Sequence, residues 1–112
     1  KYFLDNTTNE WLNNALAEKP AGVFTSSGSM HGGQESTLLT MAIPLLHHGM
    51  LLTGIPFSEK ELSTTKEGGT PYGPSHVSDE TAQKSLSPDE VSLARALGKR
   101  ISKIAKQLNQ TD

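Results

Sequence analysis

The chain has no cysteine among its 112 residues, which excludes disulfides, thiolate catalysis and any zinc or iron–sulfur site built on sulfur. It has no Lys or Arg between Pro20 and Glu59, so this stretch offers no cationic side chain to a polyphosphate. Outside the last helix no concentrated basic surface is evident, and there Arg95, Lys99, Arg100, Lys103 and Lys106 read as a solvated helix face. With a formal net charge of -2, no nucleic-acid partner is expected. No apolar run approaches the roughly 18 residues of a membrane span, and no signal-peptide pattern is present; no membrane span and a cytoplasmic location are the expectations. The opening Lys1-Tyr2-Phe3-Leu4-Asp5 has no initiator Met and enters helical material at once, the start expected of a processed piece, a split chain or a fragment.

What is present reads as α/β. Tyr2, Phe3, Leu4, Trp11, Leu12, Ala15 and Leu16 suggest short helical pieces interrupted near Asn6-Thr7-Thr8 and stopped by Lys19-Pro20. Ala21 to Ser27 reads as a strand, apolar first and polar at its end. From Gln34, the positions Leu38, Leu39, Met41, Ala42, Ile43, Leu45 and Leu46 form the wide apolar face of a helix that covers a sheet. Pro44 should loosen its last turn, and Gly49 should end it in a left-handed conformation. Met50 to Ile55 then reads as a second buried strand, and a connection of this length suits a parallel crossover. Residues 56–86 lack a periodic pattern and are expected to be a long inserted loop region, with Tyr72 in an ordered, exposed turn. Ser87, Pro88 and Glu90 form a capping box for a final helix whose stripe is Val91, Ala94, Leu97, Ile101, Ile104, Ala105 and Leu108.

The chemistry-bearing segment is Ser26 to Gly33, in which hydroxyls, backbone N–H groups and glycines follow a strand and precede a helix. Such a loop can donate hydrogen bonds to a phosphate or to the carbonyl and imide groups of a flat heterocycle. It is not a P-loop, since no Gly-Lys-Ser/Thr follows, and it lacks dinucleotide-fingerprint spacing. His31, His47 and His48 do not form a convergent ligand set with defined geometry, so no metal is expected. Ser27 with His31 or His47 lacks the sharp elbow of a hydrolase, and a hydrogen-bonding or structural role is the expectation.

The segment Phe24 to Met50, with its Ser/Gly loop, Gly32-Gly33-Gln34-Glu35 and His47-His48-Gly49, followed by Gly68-Gly69-Thr70-Pro71-Tyr72-Gly73, resembles the C-terminal half of the WrbA family. These are flavodoxin-like, FMN-dependent NAD(P)H:quinone oxidoreductases. Phe3-Leu4-Asp5 and Trp11 also resemble the family's stretch before its fourth strand, so the resemblance covers nearly all of residues 1–112. It implies part of a three-layer α/β fold with parallel sheet order 2-1-3-4-5, only the last two strands being present. It further implies FMN as cofactor, NADH or NADPH as hydride donor, a quinone as substrate and a homotetramer of complete subunits.

On the same resemblance, Ser26, Ser27, Gly28, Ser29, Gly32 and Gly33 match the loop bordering the isoalloxazine ring. His47 matches the histidine beside the flavin and is the candidate catalytic residue, while Trp11 and Tyr72 match positions near the substrate. Met30-His31 makes the loop one residue longer than the common family form. The family's phosphate-binding loop and its Pro-Thr-Arg-Phe-Gly-like segment are missing, so a missing N-terminal half or a second polypeptide is expected to supply the phosphate grip, and the isolated fragment is expected to be inactive. The alternatives are a redox-inactive flavodoxin-like interaction or regulatory module, and an azo- or nitro-reducing activity.

Overall fold

The computed structural model describes residues 2–79 and 81–109; Lys1 of the opening motif lies outside them. Two short helices, α1 (Tyr2–Asp5) and α2 (Thr8–Leu12), are followed by β1 (Pro20–Ala21) and β2 (Thr25–Ser27), then by α3 (Gln34–His47) and β3 (Leu51–Leu52). The chain continues through α4 (Glu61–Thr64), β4 (Ser75–Val77) and α5 (Pro88–Asn109). Strand β1 pairs with β3 and β2 with β4, both in parallel.

The parallel α/β reading is therefore met, but both expected strands are broken. Ala21 to Ser27 forms two short pieces, and of Met50 to Ile55 only Leu51–Leu52 is assigned as strand. The register explains the second break. Paired residues differ by 31 positions in β1–β3 and by 50 in β2–β4, so 19 residues interrupt one line of strand between two halves that pair with the same neighbour. The Thr53 N–H still donates to the Ala21 carbonyl at 2.8 Å, and Thr25 N–H donates to Pro74 O at 3.2 Å where the line resumes. The region expected as a loop over 56–86 thus holds a helical turn and the return strand, because its polar backbone is satisfied within the sheet.

The insertion is held close. Thr70 and Gly73 exchange backbone hydrogen bonds, and the Thr70 hydroxyl also donates to Gly73 O at 3.0 Å. A Cβ on Gly68 would meet the Ser75 carbonyl and lie 2.6 Å from Glu90 Oε2. Gly68→Ala should therefore destabilise the fold by about 3 kcal/mol, the upper range for overpacking; urea unfolding checks this, and a cost below about 0.5 kcal/mol would contradict the tight seat.

Helix α3 runs through Pro44 to His47 and ends on Gly49 at φ +77. Met50 N–H donates to Leu45 O and Gly49 N–H to Leu46 O, the paired bonds of a Schellman end. Helix α3 packs on β2 and β3, α5 on β1, β4 and α4. One core cluster is Ile55, Leu93 and Leu97, with Leu62 and Ile101 against it; Leu38, fully buried, lies outside that cluster. The sequence stripe of α5 thus needs correction: Leu93 is buried, whereas Ala94 is exposed. Ala94 and Gly98 instead border an open apolar groove of about 700 Å³ with Gly22, Phe24 and Leu86.

Candidate functional site

The Ser26 to Gly33 loop leaves the carboxyl end of β2 and enters α3 through Gly33 at φ +81. Among the described residues, the N–H groups of Gly28, Ser29, Met30, His31 and Gly33 donate no hydrogen bond, while Gly32 N–H donates to Ser29 O at 3.2 Å. A Cβ on Gly28 would meet nothing within 4 Å, so the backbone there is open to a ligand. The first turn of α3 adds the partial positive charge of its end. Together these groups form a donor surface without a cationic side chain.

The two serines of the strand end do different jobs. Successive strand residues face opposite sides, and Ser26 borders the apolar groove beside α5 while Ser27 turns to Gln34. Gln34 is only 3% exposed; its Nε2 donates to Ser27 Oγ at 2.9 Å, and Ser27 Oγ donates to Ser29 O at 2.6 Å. On the other side Ser75 Oγ donates to Gln34 Oε1 at 2.9 Å and accepts Gly69 N–H at 2.7 Å. The proton of Ser27 is directed to its own loop and not to a histidine.

Glu90, expected only as the far half of a capping box, is a second centre. The box forms: Ser87 N–H donates to Oε1 at 2.8 Å and Glu90 N–H to Ser87 Oγ at 3.2 Å. The same carboxylate, 2% exposed, also accepts Gly68 N–H at 2.9 Å and Val77 N–H at 2.8 Å on Oε2, and His76 Nδ1 at 2.9 Å on Oε1. Burial opposes its charge, but the N–H donors of Ser87 and Val77, the His76 ring and the Gly68 N–H outweigh burial and pull its pKa down to about 2. His76 is pushed up, chiefly by its hydrogen bond to Glu90, against a smaller desolvation effect and with help from the Lys84 carbonyl, 2.9 Å from Nε2. Both ring nitrogens face acceptors, which only the doubly protonated ring satisfies. Nothing in the sequence near His76 announces this pairing.

The two neighbouring histidines separate by burial. His47 is exposed and borders a small pocket of about 230 Å³ with Trp11, Thr7, Ile43 and Pro44. His48 is buried, with Nε2 at 2.7 Å from Thr7 Oγ1, whose own proton goes to Leu4 O at 2.7 Å. His48 therefore fastens the α1–α2 segment to the end of α3 and brings Trp11 to His47. The loop and this pocket sit at opposite ends of a helix of 14 residues, about 20 Å apart at 1.5 Å per residue. Tyr72, 49% exposed, lies at neither end: its turn sits at the interruption, beside the Val23 carbonyl. The structure brings Trp11 and His47 together, and separates them from Ser26 to Gly33.

Among the described residues, no helix is long and apolar enough to cross a membrane. No family model matches the chain. It is 43% identical over 112 residues to a protein of Syntrophobacter fumaroxidans named NAD(P)H dehydrogenase (quinone), covering 98% of this chain and 55% of that protein. Proteins of the same name from Methanosarcina acetivorans, 43% identical over 107 residues, and Methanosarcina barkeri, 44% over 100 residues, cover 94% and 88% of this chain. The matches take in 51% and 48% of those two proteins. The chain is homologous to these proteins and spans about half the length of the curated relatives it matches. Its parallel α/β arrangement fits a fragment of a flavodoxin-like fold.

Proposed function

We propose that this homologue of quinone-reducing NAD(P)H dehydrogenases forms the C-terminal half of one flavodoxin-like domain in an FMN-dependent enzyme that reduces quinones by two electrons from NADH or NADPH. The observation that carries the reading is the set of unpartnered N–H groups of Gly28, Ser29, Met30, His31 and Gly33 between the end of β2 and the start of α3. Those donors suit the carbonyl and imide edge of a neutral ring better than a phosphate, because no Lys or Arg lies between Pro20 and Glu59. The phosphate would be held by the half that this chain does not include.

In this reading the backbone of Gly28, Ser29, Gly32 and Gly33 borders the flavin ring, and Ser27 holds the loop's shape through Ser29 O. Bound FMN supplies the hydride chemistry; the protein supplies position and electrostatics. His47, exposed beside Trp11, is placed to donate a proton to a reduced quinone oxygen. Since His47 and the loop are at opposite ends of α3, they border one ring only when they come from different copies of the chain. A homotetramer would provide this. The outer face of α3 supports it, with Leu39, Ile43 and Leu46 exposed at 49%, 55% and 57% and Glu35 the only carboxylate or cationic Lys/Arg side chain on the helix, a charge-poor composition typical of interface cores.

Titrating FMN into the full-length protein and following flavin fluorescence tests the reading. Saturable quenching with one FMN per chain is expected, and a loop-widening variant, Gly32→Val, should weaken it. Absence of quenching would favour the redox-inactive interaction module instead.

A further inference from the structure

We infer that Gln34 is the positioning residue of the ring-bordering loop, fixing Ser27, and through it the backbone of residues 28–33, against the return strand of the insertion. This inference rests on the reading that the loop borders a flavin ring. Five groups stand in series: Gly69 N–H to Ser75 Oγ, Ser75 Oγ to Gln34 Oε1, Gln34 Nε2 to Ser27 Oγ, and Ser27 Oγ to Ser29 O. Each hydroxyl donates once and accepts once. Only one amide orientation allows this. Reversed, Gln34 would present a donor to a Ser75 oxygen that already receives Gly69 N–H, and a lone pair to a Ser27 oxygen whose proton is directed to Ser29.

Gln34 and Ser75 are 3% and 4% exposed, so neither loses its partner to water without a penalty. The Ser27 carbonyl is also held, accepting Ser78 N–H at 2.8 Å, but residues 28–33 have no comparable anchor of their own, and the Ser27 hydroxyl that reaches Ser29 O is placed by Gln34. Among the described residues the remaining bonds of 28–33 are Gly32 N–H to Ser29 O, Ser36 Oγ to Gly33 O and Thr37 N–H to Gly33 O, and all three close on the loop or on the helix that follows it. The insertion thus sets the position of the donor surface even though Tyr72, its exposed aromatic, lies elsewhere.

The consequence is a remote effect on flavin binding. Ser75 is separated from the loop by the whole Gln34 amide, yet Ser75→Ala in the full-length protein should raise the FMN Kd about fivefold to tenfold, the loss of one or two net hydrogen bonds. Gln34→Leu should raise it at least as much, and the double variant should be no worse than Gln34→Leu alone, because both act on one series. Ser75→Thr restores the hydroxyl and should stay within about twofold of the parent. A merely structural Gln34 would lower the melting temperature and leave the Kd of the folded fraction unchanged. If Gln34→Leu does not fold, Ser75→Ala decides alone. An unchanged Kd in folded Ser75→Ala, or full additivity in the double variant, overturns the inference while the functional reading stands; a parent protein that binds no FMN overturns the reading and the inference with it.

Discussion

Glu90→Leu will cost about 3–5 kcal/mol of folding stability, the range for removing one partner from a buried charged network. The leucine would leave the N–H groups of Gly68, Val77 and Ser87 and the His76 ring facing an apolar side chain. Three elements lose their common acceptor at once: the start of α5, the insertion and β4. Glu90→Gln keeps the shape but turns a donor toward donors, and should fall between Glu90→Leu and the parent. Urea unfolding measures both, and a loss under about 1 kcal/mol for Glu90→Leu would remove Glu90 as the junction.

The same pair sets a pH window. Glu90 titrates lower in the fold, about 2, than its ordinary 4.5, so its contribution is present above 4.5 and lost as pH falls toward 2. His76 titrates above its ordinary 6.5, so its contribution is complete below 6.5 and lost as pH rises through the raised value. Stability from the pair should therefore be greatest between these ordinary values and fall on both sides. His76→Gln should remove the alkaline fall and leave the acid one.

The second large effect concerns assembly. Full-length Gly32→Val and full-length His47→Ala will each reduce quinone poorly, yet an equal mixture refolded together will regain about a quarter of parental turnover. A site complete in both parts needs an intact loop from one copy and an intact histidine from another, and random mixing gives that combination at one site in about four. The separation of the two parts along the 14 residues of α3 is the reason. If the mixture is no more active than the better single variant, one copy supplies both parts and the interface reading of α3 fails.

The elements that show a strong local pattern were legible in the sequence. The α5 start was readable from Ser87, Pro88 and Glu90, and the α3 end from Gly49, because caps are decided by neighbouring residues. The broken strand was not legible: Leu51–Leu52 and Ser75–Val77 form one line only through their shared partner strand, and local pattern carries no register. The α5 core face was right at Leu97 and Ile101 and wrong at Ala94, because Ala94 and Leu93 both fit an apolar stripe and only tertiary contact selects Leu93. Of the candidate site, the loop and His47 were visible as motifs. The roles of Gln34, His76 and His48 were not, because each depends on a partner distant in sequence: Ser75 for Gln34, Glu90 for His76 and Thr7 for His48.

The proposed role of this chain is to supply the ring-bordering wall of a flavin-dependent quinone reductase. Its most direct test is anaerobic oxidation of NADH or NADPH by the full-length, FMN-loaded protein with 1,4-benzoquinone, following nicotinamide absorbance and hydroquinone formation together. One hydroquinone should form per nicotinamide oxidised, with turnover lost when FMN is removed and regained when it is restored. Nicotinamide oxidation that is absent in the FMN-loaded protein, or that proceeds equally well after FMN is stripped, would contradict that role.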